Sequence, residues 1–270
     1  MKLSISNIAW KNCDFYKYTK LIKEQGCDGI ELAPSCIWKE PVNVDKKEVF
    51  EFLQNIKKIG LKVVGMHSLL YTRPDLQLFK NKNSRNETLQ YIFKLIDVCS
   101  QLEGKQLIFG SPKNRTLHGH DYKKCEEQAL NDFYEISEYS KKKDIFFCIE
   151  PLGPEDTDFI SSVDEGGKMV INVNHPNFKL HLDTKAIFST KENPDIIIEK
   201  YKDIIQHVHV GDLLLLEPGT INKNHSTVGT ALKNIKYSNY ISIEMKKNPR
   251  DVEGSILRSI SYVKENYLNI

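Results

Sequence analysis

Two histidines stand two residues apart in the apolar run IIQHVHVGD (204–212). Acids sit inside three other apolar runs: Glu150 in FFCIEPL, Asp183 in KLHLDT and Glu244 in YISIEM. An unpaired carboxylate enclosed by apolar neighbours is costly, so each of these acids needs a partner. Three carboxylates and one imidazole brought together would repel strongly unless a cation sat among them. An oxygen-rich donor set with one imidazole suits a hard or borderline divalent ion such as Mn²⁺ or Mg²⁺ better than a thiolate-seeking one. Such an ion is a Lewis acid: chelating a carbonyl and an adjacent hydroxyl oxygen, it stabilises the enediolate left when an α-proton departs. Glu150 and Glu244 would then form the acid/base pair. Two carboxylates on opposite faces of the substrate give epimerisation, and one working between adjacent carbons gives aldose–ketose isomerisation.

Taken singly, each residue has a plainer reading. A lone strand-end glutamate is more often solvated or salt-bridged, the DT of Asp183 is a common helix cap, and a lone histidine on an apolar face is usually a satisfied core residue. Positions i and i+2 of a strand face the same way, so His207 and His209 point into one space. His209 lies nearer the strand end and reads as the ligand; His207, one layer deeper, reads as a support that hydrogen-bonds the site from below. For holding substrate the candidates are His67, which closes KVVGMHS, Lys185, and Arg115 in GSPKNRTLHGH (110–120) beside Lys113, His118 and His120. A guanidinium fork suits a phosphate or carboxylate, while a solvated basic loop is the alternative. Trp38 and Trp10 would stack on a sugar ring or belong to local core.

These residues need a scaffold that gathers them. Short β-rich runs alternate eight times with segments of helical period: 2–8 then 14–25, 27–33 then 45–59, 61–69 then 86–103, 105–111 then 125–143, 144–152 then 162–174, 178–184 then 193–203, 204–212 then 226–236, and 240–246 then 252–267. Strands joined by helical crossovers form a parallel sheet, and eight such units predict closure into a single α/β domain, a (β/α)8 barrel over residues 1–270. Gly26, Gly60 and Gly104 fall between a helical run and the next strand, where a left-handed cap is favoured. An open doubly wound sheet would carry a glycine-rich phosphate turn after strand 1, and SISNIAWKNCDF has none. Barrel active sites lie at the strand C-termini. Read there, the chain presents Asn7, Glu31, His67, Gly110/Ser111, Glu150, Asp183, His209 and Glu244.

With 38 Lys plus Arg against 36 Asp plus Glu, the net charge of +2 offers no polyanion-tracking surface. The six cysteines (Cys13, Cys27, Cys36, Cys99, Cys125, Cys148) show no C-x-x-C pair and are expected to be free thiols. No apolar run approaches the roughly 20 residues of a membrane span, and the N-terminus lacks a long apolar segment. A cytoplasmic location is expected. The partner expected is a small-molecule carbohydrate, with a homodimer allowed and neither nucleic acid nor membrane engaged.

The motifs GIELAP, GMHSLL, IEP, HLDT, HVHVGD and IEM, spread over nearly the whole chain, resemble the xylose isomerase-like TIM barrels, which include sugar isomerases and epimerases, hydroxypyruvate isomerase, inosose dehydratase and endonuclease IV. Separations of 33 from Glu150 to Asp183, 26 to His209 and 35 to Glu244 are similar to the Glu, Asp, His, Glu metal quartet of the ketose 3-epimerases. The resemblance implies one divalent ion, Mn²⁺ foremost with Co²⁺, Mg²⁺ or Zn²⁺ as alternatives, at Glu150, Asp183, His209 and Glu244, and an isomerase or epimerase of a sugar or sugar derivative, with a phosphate or acidic group allowed. A dehydratase of a keto-polyol on the same scaffold is the alternative. An abasic-site endonuclease ranks lower, since it uses a trinuclear zinc cluster and Ala186 and His207 replace two of its ligands. The chain also departs from the ketose 3-epimerases. Ala186 stands where they carry a histidine three residues after the metal aspartate, and Leu215 where they carry an arginine six residues after the metal histidine.

Overall fold

The computed structural model describes residues 1–11 and 14–270. Eight parallel strands close into one barrel in sequence order: β1 (Lys2–Ser6), β2 (Gly29–Leu32), β3 (Lys62–Met66), β4 (Gln106–Phe109), β5 (Phe146–Ile149), β6 (Phe178–Asp183), β7 (Ile205–Val210) and β8 (Tyr240–Ile243), with β8 pairing β1. The helices among the described residues are α1 (Phe15–Glu24), α2 (Lys46–Ile59), α3 (Lys82–Gln101), α4 (Tyr122–Lys142), α5 (Val163–Val173), α6 (Thr184–Thr190), α7 (Pro194–Lys200), α8 (His225–Asn234) and α9 (Val252–Val263). The strands are buried on both faces, one by the helices and the other by the barrel interior, which explains why they read as near-continuous apolar runs. No described helix is long and apolar enough to cross a membrane.

Every predicted strand forms, and helix starts account for most of the differences. Helix α3 begins at Lys82 rather than 86 because the Asn81 side chain accepts from the Ser84 N–H and caps it. Between β6 and β7 the crossover is two helices, with α6 starting directly on Asp183, whose Oδ1 accepts from the Lys185 N–H at 2.9 Å. The capping role of the DT pair is therefore real and coexists with a place at the barrel mouth.

Gly26 (φ 79°) and Gly60 (φ 87°) take the left-handed positions after α1 and α2, as expected. Gly104 does not. Glu103 (φ 58°) holds the left-handed turn there, and Gly104 is required for close packing: a Cβ would lie 2.7 Å from Cys99 Sγ. The described cysteines Cys27, Cys36, Cys99, Cys125 and Cys148 are free thiols, and Cys13 lies outside the described residues.

At the centre of the barrel β3 approaches β4 unusually closely. Gly65 is in register with Gln106, and a Cβ on Gly65 would collide with the Gln106 carbonyl oxygen and lie 2.7 Å from its Cγ. Backbone cannot give way as a flexible side chain can. Gly65→Ala is expected to cost about 1–3 kcal/mol, the range for overpacked cores, read as a lower denaturation midpoint in urea with an unchanged slope. An unchanged midpoint would show that β3 and β4 can part at no cost.

Candidate metal centre

The strand ends bring Glu150, Asp183 and Glu244 together, with one carboxylate oxygen of each within 4.8 Å of the others. Glu150 follows β5, Asp183 ends β6 and Glu244 follows β8, while His209, on β7, is in register with both Asp183 and Ser242. These four side chains are buried or nearly so, at 8% exposure for Glu150, 3% for Asp183, 9% for Glu244 and 0% for His209. Gly110, following β4, makes room: a Cβ there would collide with Glu150 Oε2.

His209 is oriented from both ends. Its Nε2–H donates to Glu31 Oε2 at 2.8 Å, which turns Nδ1 toward the acids, 3.2 Å from Glu244 Oε2 and 3.4 Å from Glu150 Oε1. Neither approach is aligned as a hydrogen bond, so Nδ1 is a buried ring nitrogen without a partner. A nitrogen aimed at a carboxylate cluster and left unsatisfied is what a metal ligand looks like before its ion is added.

The electrostatics also favour a positive charge among these acids. Burial pushes the Asp183 carboxyl up to about 8, and the charges of Glu150 and Glu244 push the same way. Burial alone would also raise Glu244, but the positive charge of the adjacent His209 and the contact with His67 outweigh it and hold Glu244 well below the usual carboxylate range. Conversely, burial would lower His209, yet Glu31 and Glu244 hold it well above the usual imidazole range. A protonated imidazole and a protonated carboxyl are how three acids can share this space without a metal ion. The donor set fits one divalent cation.

Beneath this layer lies a second polar layer. His207 accepts at Nδ1 from the Gln106 amide at 3.0 Å, and its Nε2 faces Glu31 Oε1 at 3.2 Å. Burial lowers its pKa, so His207 is the neutral imidazole that keeps Glu31 in place from below. His67 Nδ1 lies 3.1 Å from Glu244 Oε1, while its Nε2 meets Ser6 Oγ at 2.5 Å. With Nδ1–H donating to the carboxylate, Nε2 accepts the Ser6 hydroxyl proton. His181, two residues before Asp183, packs edge-on against the His209 ring at 4.1 Å, with neither nitrogen hydrogen-bonded among the described residues.

A cavity of about 240 Å³ opens over the acids, lined also by His67, Leu152, Asp156, Lys185 and Leu215. His67 and Lys185 therefore reach the place expected of substrate-holding residues, with Lys185 ion-paired to Asp156. Arg115 and Trp38 do not, and this corrects the expectation for both. The 3-10 turn Pro112–Asn114 carries Arg115 inward to full burial, where one nitrogen faces the Ile160 carbonyl at 3.5 Å. Trp38 donates from Nε1 to Glu48 at 2.8 Å and stacks edge-on against Phe52, as local core. Trp10 is likewise fully buried, against Phe15 and Tyr18.

Glu31, Ser6, Gln106 and His181 were given no role from sequence. Glu31 stood among the strand-end acids, and His181 was open to the same period-two argument that pairs His207 with His209. Ser6 and Gln106 carry no local signal, because their partners are 61 and 101 residues away.

Metal uptake should displace protons from His209 Nδ1 and from the Asp183 carboxyl, about two per ion at pH 7. Since Asp183 titrates near 8 and His209 is held well above the usual imidazole range, affinity should rise with pH from neutrality through that value. Calorimetric Mn²⁺ titration in two buffers of different ionisation enthalpy reads the proton count directly, and binding without proton release would refute the assignment. The two histidines of β7 should separate in the same titration. His209→Ala loses metal and keeps its fold, whereas His207→Ala binds metal about 10–100-fold more weakly and melts at a lower temperature. The reverse outcome would mean that the roles on β7 are exchanged.

Residues 19–265 match the sequence family described as Xylose isomerase-like TIM barrel. A D-psicose 3-epimerase from Ruminiclostridium cellulolyticum is 25% identical over 249 residues, covering 90% of this chain and 83% of the relative. Among solved structures, the D-psicose 3-epimerase of Clostridium cellulolyticum H10 with D-tagatose superposes with a TM-score of 0.83 at 16% identity, covering 98% of this chain and 99% of that one. The apo form of the 3-keto-D-glucoside 4-epimerase from E. coli gives 0.84 at 16% identity, with coverage of 98% and 99%. A closed eight-stranded barrel with this match over nearly its whole length makes the chain a member of the xylose isomerase-like TIM barrel family.

Proposed function

We propose that this chain is a divalent-metal-dependent sugar epimerase that inverts a stereocentre next to a ketose carbonyl, with Glu150 and Glu244 exchanging the proton. One observation carries the reading: two carboxylates reach the same cavity from the ends of β5 and β8, with Asp183 of β6 and the unpartnered Nδ1 of His209 on β7 between them. Its similarity to relatives named as epimerases of D-psicose and of a 3-keto-D-glucoside supports it.

Glu150, Asp183, Glu244 and His209 would hold the ion, which supplies Lewis acidity and so lowers the cost of an enediolate on the substrate. The remaining work belongs to the protein. Glu244, braced by His67 and held ionised, takes the α-proton; Glu150, on the opposite face, returns one to the same carbon. His67 passes its orientation on from Ser6, so the acceptor carboxylate is fixed before substrate arrives. Leu152 and Leu215 line the cavity with hydrocarbon, which limits water at the carbanionic carbon.

A neutral sugar suits this cavity better than a phosphorylated or acidic one. Arg115 is fully buried and does not line the cavity, and Lys185 is already matched by Asp156. The Lys185–Asp156 pair offers an ammonium donor and a carboxylate acceptor side by side, a combination that recognises hydroxyl groups.

Incubating Mn²⁺-loaded protein in D₂O with ketoses, aldoses and their phosphates should yield deuterium at one inverted carbon of a neutral ketose. Glu150→Gln and Glu244→Gln should each slow exchange by about 10²–10⁴-fold. If no sugar exchanges a proton and neither variant alters the result, the proton-transfer reading is wrong. Exchange followed by loss of water would make the enzyme a dehydratase, and about three zinc ions per chain would move it to the endonuclease class.

A further inference from the structure

A groove of about 600 Å³ opens directly off the catalytic cavity, and the two share the wall formed by Ser68, Ser111 and Pro112. By itself the inner cavity, about 240 Å³, falls below the roughly 300–1,000 Å³ of typical ligand sites. It has room for a single sugar ring. Ser68 (φ 51°) and Ser111 (φ 40°) form the saddle between the two spaces, both in a left-handed conformation that few non-glycine residues adopt. The chain turns sharply after β3 and after β4, and those turns keep the passage open.

The outer wall of the groove carries Tyr71, which is 79% exposed. An exposed tyrosine on a loose loop would mean little, but this loop is pinned. The Arg73 N–H bonds the Leu70 carbonyl at 2.9 Å, and the Arg73 guanidinium forks onto Asp75 at 2.9 and 2.6 Å. From across the groove the buried Asn114 side chain donates to the Arg73 carbonyl at 2.8 Å and the Leu76 carbonyl at 2.5 Å. The ring is therefore held out from a rigid support, beside an apolar floor of Leu70, Pro74 and Pro112 and the hydroxyls of Ser68, Thr72 and Ser111. A fixed aromatic face flanked by hydroxyl groups matches a pyranose, which offers C–H bonds on its face and hydroxyls around its edge.

Besides its acids, the inner cavity offers a sugar few polar anchors: His67, Ser68, Ser111 and the Lys185–Asp156 pair. Leu152 and Leu215 give it hydrocarbon walls. Binding energy from a remote, non-reacting part of the substrate can add to such anchors. We propose that the groove beside Tyr71 is a second sugar-binding subsite, which takes the non-reacting pyranosyl ring of a glycosidically linked ketose while the reacting ketose unit, in its open-chain carbonyl form, lies among Glu150, Asp183 and Glu244. For the reacting unit this rests on the epimerase reading above.

The test uses the Mn²⁺-loaded full chain with fructose and with glucosyl-fructoses linked through O-4 or O-6, each followed by calorimetric binding and by steady-state kinetics. At least one disaccharide should bind about tenfold more tightly than fructose, and Tyr71→Ala should remove that margin. Tyr71→Phe should retain it, because the ring face stacks and the hydroxyl does not. Equal affinities for fructose and both disaccharides in the native protein, or a margin that Tyr71→Ala leaves in place, would overturn the proposal. Binding is read separately from chemistry. Absence of proton exchange with every sugar would sink the epimerase reading alone, and the affinity margin would still decide the groove.

Discussion

The hydrogen bond from His209 Nε2 to Glu31, 2.8 Å long and closed off from solvent, is the constraint on which the site depends. It fixes which ring nitrogen carries the proton and which way the other one points. Without it the imidazole could rotate to satisfy Nδ1 on a nearer acceptor, and the three carboxylates would lose their common neighbour. Glu31 can serve only because it is itself held, by His207 and through it by Gln106. The chain of support thus runs across the barrel from β4 to β7 to β2 and back to β7, and successive members come from different strands. A closed barrel is the architecture that makes such links short, since strands distant in sequence face each other across its interior.

That arrangement also explains why a barrel core would tolerate so many polar groups. Burying Glu31 and four imidazoles in place of hydrocarbon is unfavourable in itself, and ion pairs in such places seldom add net stability. What they provide is orientation. The upper layer of acids is left unbalanced, with Asp183 held protonated at neutral pH by its burial and by the charges of Glu150 and Glu244. The lower layer is neutral or paired. Stability is supplied instead by the helix–strand interface, where Phe133 packs against Phe147 and Phe178 and the aliphatic residues of the strands are fully buried.

Most of this was legible from the chain alone wherever the signal was local. Apolar runs of period two and helices of period 3.6 located all eight strands, and the rule that barrel chemistry sits at strand ends then picked out Glu150, Asp183, His209 and Glu244. Where the determinant was non-local, reading failed. Arg115 sits in a basic loop and invites an anion, yet the loop containing Ile160 covers it, a contact 45 residues away. Trp38 is decided by Glu48 and Phe52 on the next helix. Gly104 carries the composition of a left-handed cap, but Glu103 performs that role because Cys99 and Gly65 crowd the position after it.

The same division between strands and loops bears on how this barrel differs from its relatives. The residues that would handle the proton and the ion lie on β-strand ends, in a geometry set by the barrel itself, and cannot move without disturbing their neighbours. On the proposed reading, substrate choice lies with the segments after them: 68–75, 110–120, 151–161 and 212–224. There the chain places the hydrocarbon of Leu152 and Leu215 along the inner cavity, and it pins the outer loop through Asn114. Hydrocarbon walls inside and a rigid support beyond them shift recognition outward. A change of substrate size can therefore be reached through loops alone, with the proton-handling layer left as it stands.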